Sequence, residues 1–139
     1  MAGMLEVLLP FTPYLALILR IWFGASAMLH GYPKVKTRAA GASDAAQKMG
    51  APRIVGPLAM ILEFGGGIFL IVGLIVPIVC LLYMIFFAAI TLSKKVKGKA
   101  TYILGQGSKY ELDIFYFMTA VTLLFLGAGA FSLDSLLRL

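Results

Sequence analysis

Residues 54–72 read IVGPLAMILEFGGGIFLIV, a continuous apolar run in which Glu63 is the one charged side chain. A helix needs about 17–25 apolar residues to cross a hydrocarbon core that is about 30 Å thick. Backbone N–H and C=O groups in hydrocarbon must be paired inside the segment, and a membrane β-strand would instead be about ten residues of alternating polarity. The run therefore predicts a transmembrane α-helix.

Three further apolar runs have similar lengths and cover residues 14–30, 76–92 and 112–131. Prolines lie just before the first run and near the starts of the second and third, where a helix tolerates a residue without an N–H. The pattern predicts an all-α protein, a four-transmembrane-helix bundle that forms a single domain over residues 1–139.

The composition excludes several classes of protein. Hydrophobic residues make up 61% of the chain and charged residues 13%, against about a quarter in soluble domains, so a soluble globular enzyme is excluded. The net charge of +6 lies in short blocks between apolar runs, which does not fit a nucleic-acid-binding surface. One cysteine, Cys80, and one histidine, His30, allow no internal disulfide and no His-rich metal site, so no metal is expected.

The basic residues predict the orientation in the membrane. The loop between the first and second runs and the loop between the third and fourth carry five basic residues each: Lys34, Lys36, Arg38, Lys48 and Arg53, then Lys94, Lys95, Lys97, Lys99 and Lys109. Basic loops stay in the cytoplasm, so both loops are expected to be cytoplasmic and both termini outside. In the first loop, Ser43 as N-cap and Gly50 as stop predict a short cytoplasmic surface helix.

Two ionisable residues, Arg20 and Glu63, fall inside the predicted hydrocarbon, where each costs about 2.5–3.5 kcal/mol at a helix centre. Arg20 also interrupts the first run, unlike the apolar core of a signal peptide, so this run is expected to remain as a helix. Counted from the outer ends of the two predicted helices, the depths of Arg20 and Glu63 in the membrane differ by about 5 Å. We expect an intramembrane polar pair between Arg20 and Glu63, which either fixes the helix register or serves as a proton or quinone-headgroup site.

The predicted cytoplasmic end of the bundle carries a polar cluster that consists of His30, Lys34, Arg53 and Glu111. Asp113 follows two residues after Glu111 at the start of the fourth run. Glu111 has two roles open to it, as the partner of His30 or Lys34 or as half of a capping box with Ser108.

Small residues indicate where the helices approach each other. Glycines expected to permit close helix packing in lipid are Gly24, Gly66, Gly67, Gly73, Gly127 and Gly129. No glycine-rich nucleotide motif follows a strand, so these glycines are assigned to packing.

Taken in order, these residues resemble the DoxX family. The resemblance rests on Arg20, His30-Gly31-x-x-Lys34, Met49-Gly50-Ala51-Pro52, Glu63-x-x-Gly66-Gly67, Gly73, Glu111 and Gly127-x-Gly129-x-x-Ser132-x-Asp134. It implies a four-helix integral protein of a bacterial or archaeal cell membrane, similar to the membrane subunit of thiosulfate:quinone oxidoreductase.

The resemblance implies a membrane subunit of a quinone-linked respiratory or oxidoreductase complex, with the lipid bilayer and other membrane subunits as partners; it establishes no cofactor, and quinone is the candidate. The polar interior would then serve the quinone headgroup or a proton path. Two alternatives remain open: a non-catalytic structural or assembly subunit, and a small transporter in which Glu63 couples ion movement.

Overall fold

The structure is a computed structural model that describes residues 7, 9–48, 50–96, 102 and 110–138. Its helices, in chain order, are α1 (Thr12–Lys36), α2 (Ala40–Lys48), α3 (Val55–Val72), α4 (Val76–Val96), α5 (Glu111–Leu126) and α6 (Leu133–Leu137). A 3₁₀ turn, Leu9–Phe11, precedes α1, and the described residues contain no strand. The expectation of an all-α protein is confirmed.

Three of these helices, α1 with its preceding turn, α3 and α4, are long and apolar enough to cross a membrane. The helix α5 has 16 residues and is shorter than the predicted run, which continued to residue 131. It ends at Leu126 because Gly127 adopts φ 71°, a left-handed conformation that stops the helix. The expected fourth crossing therefore contains a helix of about 24 Å, at a rise of about 1.5 Å per residue.

The helices pack as two principal pairs, α1 against α3 and α4 against α5, and α1 also contacts α5. Four stacked aromatic rings join the two pairs at the centre. Phe23 of α1 lies 4.8 Å from Tyr83 of α4 and 5.4 Å from Tyr116 of α5, between ring centroids. Phe87 stacks on both tyrosines, at 5.7 and 5.0 Å. This cluster fixes α1, α4 and α5 around one core.

Glycines allow α1 and α3 to approach closely. A Cβ atom on Gly24 would lie 2.6 Å from the carbonyl oxygen of Gly67, and one on Gly67 would lie 2.7 Å from that of Gly24. Gly66 faces the ring of Tyr83, which a Cβ atom would meet at 3.2 Å. Of the six glycines assigned to packing, Gly127 differs, because a Cβ atom there would meet nothing within 4 Å. Gly127 is therefore required for its backbone conformation at the end of α5 and not for close helix packing.

The helix α2 begins earlier than the sequence suggests. A turn at Thr37–Ala39 ends α1, and α2 starts at Ala40, so Ser43 lies inside the helix instead of capping it. The side chain of Ser43 is buried, and its backbone lies where a Cβ atom on Gly56 would stand, so α2 rests on the start of α3. Met49, Lys97, Lys99, Ser108 and Lys109 lie outside the described residues.

Candidate functional site

The central turn of α3, Ile61–Gly66, is a π-helix, and it contains Glu63. Short π-helical turns leave carbonyl groups without their usual partners, and they are frequent at functional sites. Here the hydroxyl of Tyr83 donates a hydrogen bond to the carbonyl oxygen of Leu62 at 2.9 Å, which compensates part of that loss. The turn holds the Glu63 side chain inside the bundle, with 5% of the residue exposed.

Glu63 forms an ion pair with Lys34, near the end of α1. The two helices are in contact one turn earlier, because a Cβ atom on Gly31 would lie 2.7 Å from the backbone nitrogen of Phe64. The Lys34 side chain is one-quarter exposed, and that of Glu63 is buried. The ammonium group therefore compensates a carboxylate that would otherwise be a bare charge in an apolar interior.

A second ion pair joins the other two helices. Lys94 near the end of α4 donates to Asp113 in the first turn of α5, with Nζ 2.6 Å from Oδ2. Asp113 is 7% exposed, so this pair is also largely withdrawn from solvent. Each principal helix pair is thus held at the same end of the bundle by one part-buried lysine–carboxylate contact.

Both ion pairs line one cavity of about 470 Å³. His30 and Tyr116 also line it, and their rings meet edge to face with centroids 5.8 Å apart. The Tyr116 hydroxyl in turn forms a hydrogen bond with the Ser26 hydroxyl. We call this space the ion-paired cavity; it is lined by Ala27, His30, Lys34, Ala42, Ala45, Ala46, Val55, Ala59, Glu63, Phe87, Ile90, Lys94, Leu112, Asp113 and Tyr116.

The chemistry of the ion-paired cavity follows from this lining. Two ammonium groups and an imidazole can donate hydrogen bonds, and two carboxylates can accept protons. The remaining walls are apolar or aromatic, which strengthens each polar contact made inside. The arrangement suits a ligand with a flat, partly polar ring. No group of three or more potential metal ligands occurs in the part of the chain that the structure describes.

Arg20 lies about two turns into α1, toward the opposite end of the bundle, and is fully buried. Its Nη2 donates to the carbonyl oxygen of Phe131 at 2.5 Å, while Nε and Nη1 have no hydrogen-bond partner among the described residues. Gly73 and Ser132 stand beside the guanidinium, since a Cβ atom on Gly73 would collide with Arg20. The carboxylate that acts on its charge is Asp134.

Arg20 and Glu63 do not form the direct pair that the sequence predicted. Arg20 lies beside Gly73, whereas Glu63 lies beside Lys34. Positions 20 and 34 of α1 are about 21 Å apart along the helix, at a rise of about 1.5 Å per residue. The depths predicted for Arg20 and Glu63 assumed that the outer ends of α1 and α3 lie at the same height in the membrane. In the structure, α1 extends two turns past the end of α3 and contacts the C-terminal segment.

Two members of the predicted cytoplasmic cluster lie elsewhere. Arg53 pairs with Asp44 at 3.2 Å on the surface, with both side chains more than half exposed. Glu111 begins α5 but does not line the ion-paired cavity in the described part of the chain; Asp113, two residues later, does. Of the four predicted residues, His30 and Lys34 face the cavity.

Sequence reasoning did not select Lys94 or Asp134 as site residues. In the sequence, Lys94 was assigned to the basic loop. It is, however, the first charged residue after the third apolar run, and its side chain extends back into the bundle to reach Asp113. Asp134 follows the last apolar run, and its carboxylate accepts from the backbone nitrogens of Ile75 at 2.5 Å and Val76 at 2.8 Å. Asp134 is an acidic residue that follows an apolar run on the side of the membrane without basic loops. That position is the sequence signal that could have identified Asp134.

Comparison with known proteins gives one family. No curated protein and no solved structure matches the chain. The DoxX family model matches residues 15–95, which include Arg20, Lys34, Glu63 and Lys94 and cover more than half of the sequence. The chain therefore belongs to the DoxX family.

Proposed function

We propose that this chain is a membrane subunit of a quinone-linked oxidoreductase complex and that the ion-paired cavity holds the quinone headgroup. Membership in the DoxX family indicates a membrane protein of a kind often associated with oxidoreductases. The observation that carries the finer proposal is the convergence of two part-buried ion pairs, an imidazole and aromatic rings on a single cavity.

The proposal includes four membrane crossings, with α5 and the segment up to Phe131 as the fourth, all in one domain over residues 1–139. It is supported by the cavity, because the ends of α1 and α4 and the start of α5 all meet there, as an alternating topology requires. The described basic residues of both loops then lie at this end. By the positive-inside rule the cavity faces the cytoplasm of a prokaryotic cell, both termini lie outside, and α2 lies at the cytoplasmic membrane surface.

The donor set fits a quinone. Lys34 and Lys94 would donate to its carbonyl oxygens, and Phe87 and Tyr116 would contact it from the cavity wall. A bound quinone would supply two-electron chemistry coupled to the uptake of two protons. Glu63 and Asp113, each hydrogen-bonded to a lysine, and His30 at the cavity wall are the groups that would exchange those protons with the cytoplasm.

The electrons would come from a partner subunit, so we propose that the chain works in a larger membrane complex. One observation favours the alternative of a structural or assembly subunit. Both lysines of the cavity already pair with carboxylates, so the two contacts also serve to join the helices without any ligand. Binding experiments separate the two functions.

The test uses the purified full chain in detergent and 2,3-dimethyl-1,4-naphthoquinone, a quinone ring without a tail. Lys94→Met removes a cavity donor, and Lys95→Met removes the exposed neighbouring charge as a matched control. A hydrogen bond to a charged group contributes about 1.5–3 kcal/mol, so Lys94→Met should weaken binding about 10- to 150-fold, and Lys95→Met should leave it unchanged.

Lys94→Arg, which keeps the charge, should retain most of the affinity and guards against a variant that fails to fold. If the wild-type protein does not bind the naphthoquinone, or if the two methionine variants bind equally, the headgroup site is refuted and the structural function is favoured.

A further inference from the structure

A second cavity lies between α3 and α4 and has a volume of about 640 Å³. The two helices touch where Gly66 faces Tyr83. Beside this contact they border an open apolar groove whose walls include Leu58, Gly65, Phe69, Leu82, Phe86 and Ala89. Of its lining residues in the described chain, Ser93 is the one with a polar side chain. We call this space the tail groove.

The tail groove adjoins the ion-paired cavity. Ala46, Val55 and Ile90 line both spaces, so one set of side chains forms the wall between them. On one side of this wall are four charged groups, and on the other is an apolar channel between two membrane-spanning helices. A single ligand that filled both spaces would need a polar group at one end and a long apolar chain at the other.

We infer that the ligand is an isoprenoid quinone and that its tail occupies the tail groove. This inference rests on the proposed function and specifies its substrate class. The groove follows α3 from Val55 to Phe69, about 21 Å at a rise of about 1.5 Å per residue, which exceeds half of a hydrocarbon core about 30 Å thick. A quinone with a short chain would leave most of this length unfilled.

The dimensions of the tail groove suit a ligand chain. The tail groove has about 640 Å³, which lies within the range of about 300–1,000 Å³ that is typical of ligand pockets. Its aliphatic and aromatic walls are those that a branched hydrocarbon tail would contact.

The experiment compares two probes that share a ring: 2,3-dimethyl-1,4-naphthoquinone, which has no tail, and menaquinone-4, which has four isoprene units. Ala89→Phe places a ring in the tail groove. Ala88→Phe adds the same ring to the exposed neighbouring position on α4, which lines neither cavity, and is the matched control. Affinities are measured in detergent at equal probe concentration per micelle.

We expect Ala89→Phe to weaken menaquinone-4 binding at least fivefold relative to Ala88→Phe and to leave binding of the tail-free probe unchanged. Gly65→Leu is a second groove-filling variant, since a Cβ atom there has open space, and it should give the same pattern. The inference is overturned if both probes bind and neither groove variant discriminates between them.

Two other results have separate meanings. If the tail-free probe does not bind the wild-type protein, the headgroup site of the proposed function fails. If phosphatidylglycerol displaces menaquinone-4 while the tail-free probe stays bound, the groove belongs to lipid acyl chains and the inference fails alone.

Discussion

Replacing Asp134 by alanine is expected to destabilise the protein by about 3–6 kcal/mol, although Asp134 lies after the last long helix. Its carboxylate is 6% exposed and accepts from the backbone nitrogens of Ile75 at 2.5 Å and Val76 at 2.8 Å. These are orphan donors at the start of α4. The same carboxylate is the counter-charge for the fully buried Arg20.

The magnitude follows from these contacts. Two hydrogen bonds to a charged acceptor at about 1.5–3 kcal/mol each give about 3–6 kcal/mol. The loss of the negative charge that acts on the buried Arg20 adds to the destabilisation in the same direction. Asp134→Asn keeps an acceptor for one of the two amides and loses the charge, so its effect should fall between those of wild type and alanine.

The assay is unfolding by SDS in mixed detergent micelles, followed by the reaction of Cys80 with a maleimide dye. Cys80 is the single cysteine of the sequence and is fully buried, so it reacts when the bundle opens. The matched control is Asp44→Ala, which breaks the exposed pair with Arg53 at 3.2 Å and should cost less than about 1 kcal/mol. Equal losses in the Asp134→Ala and Asp44→Ala variants would refute the reasoning.

The same unfolding assay checks three further predictions. Gly24→Ala should cost about 1–3 kcal/mol because its Cβ atom would meet the α3 backbone, whereas Gly41→Ala, which has open space, should be neutral or stabilising; equal effects would argue against the close helix contact. In a double-mutant cycle, Lys34→Met and Glu63→Gln should show a coupling of about 0.5–3 kcal/mol, and strict additivity would mean that the pair contributes nothing. Gly127→Ala should cost about 1–3 kcal/mol without any clash, because φ is 71° there; no loss would show that the positive φ is not required.

The sequence predicts the helices well where a hydrophobic run ends at a proline or a charge. The predicted run at residues 54–72 matches α3, Val55–Val72, and the run that begins at residue 76 matches the start of α4. The fourth run misleads, because residues 127–131 are apolar but Gly127 and Gly129 adopt positive φ. Hydropathy measures what lipid tolerates and carries no information about backbone dihedral angles.

The candidate site was predicted in part. His30 and Lys34 were identified because polar groups near the end of an apolar run are costly, and that cost is a property of sequence. The partners of Lys34 and Arg20 were not identified from the sequence, because the choice of partner depends on how far one helix is shifted along its neighbour. A shift of two turns moves a side chain by about 11 Å, enough to replace every contact that it makes.

The amino-acid sequence by itself determined that this protein is helical, that its apolar segments are long enough for a membrane, and that two charges would need partners inside it. These follow from local composition and from the cost of an unpaired group in hydrocarbon. The tertiary structure alone decided that Glu63 sits in a π-helical turn opposite Lys34, and that Arg20 belongs with Phe131 and Asp134 at the other end. The physical reason is the close contact between Gly24 and Gly67, which sets the relative position of α1 and α3 through backbone atoms that no hydrophobic pattern specifies.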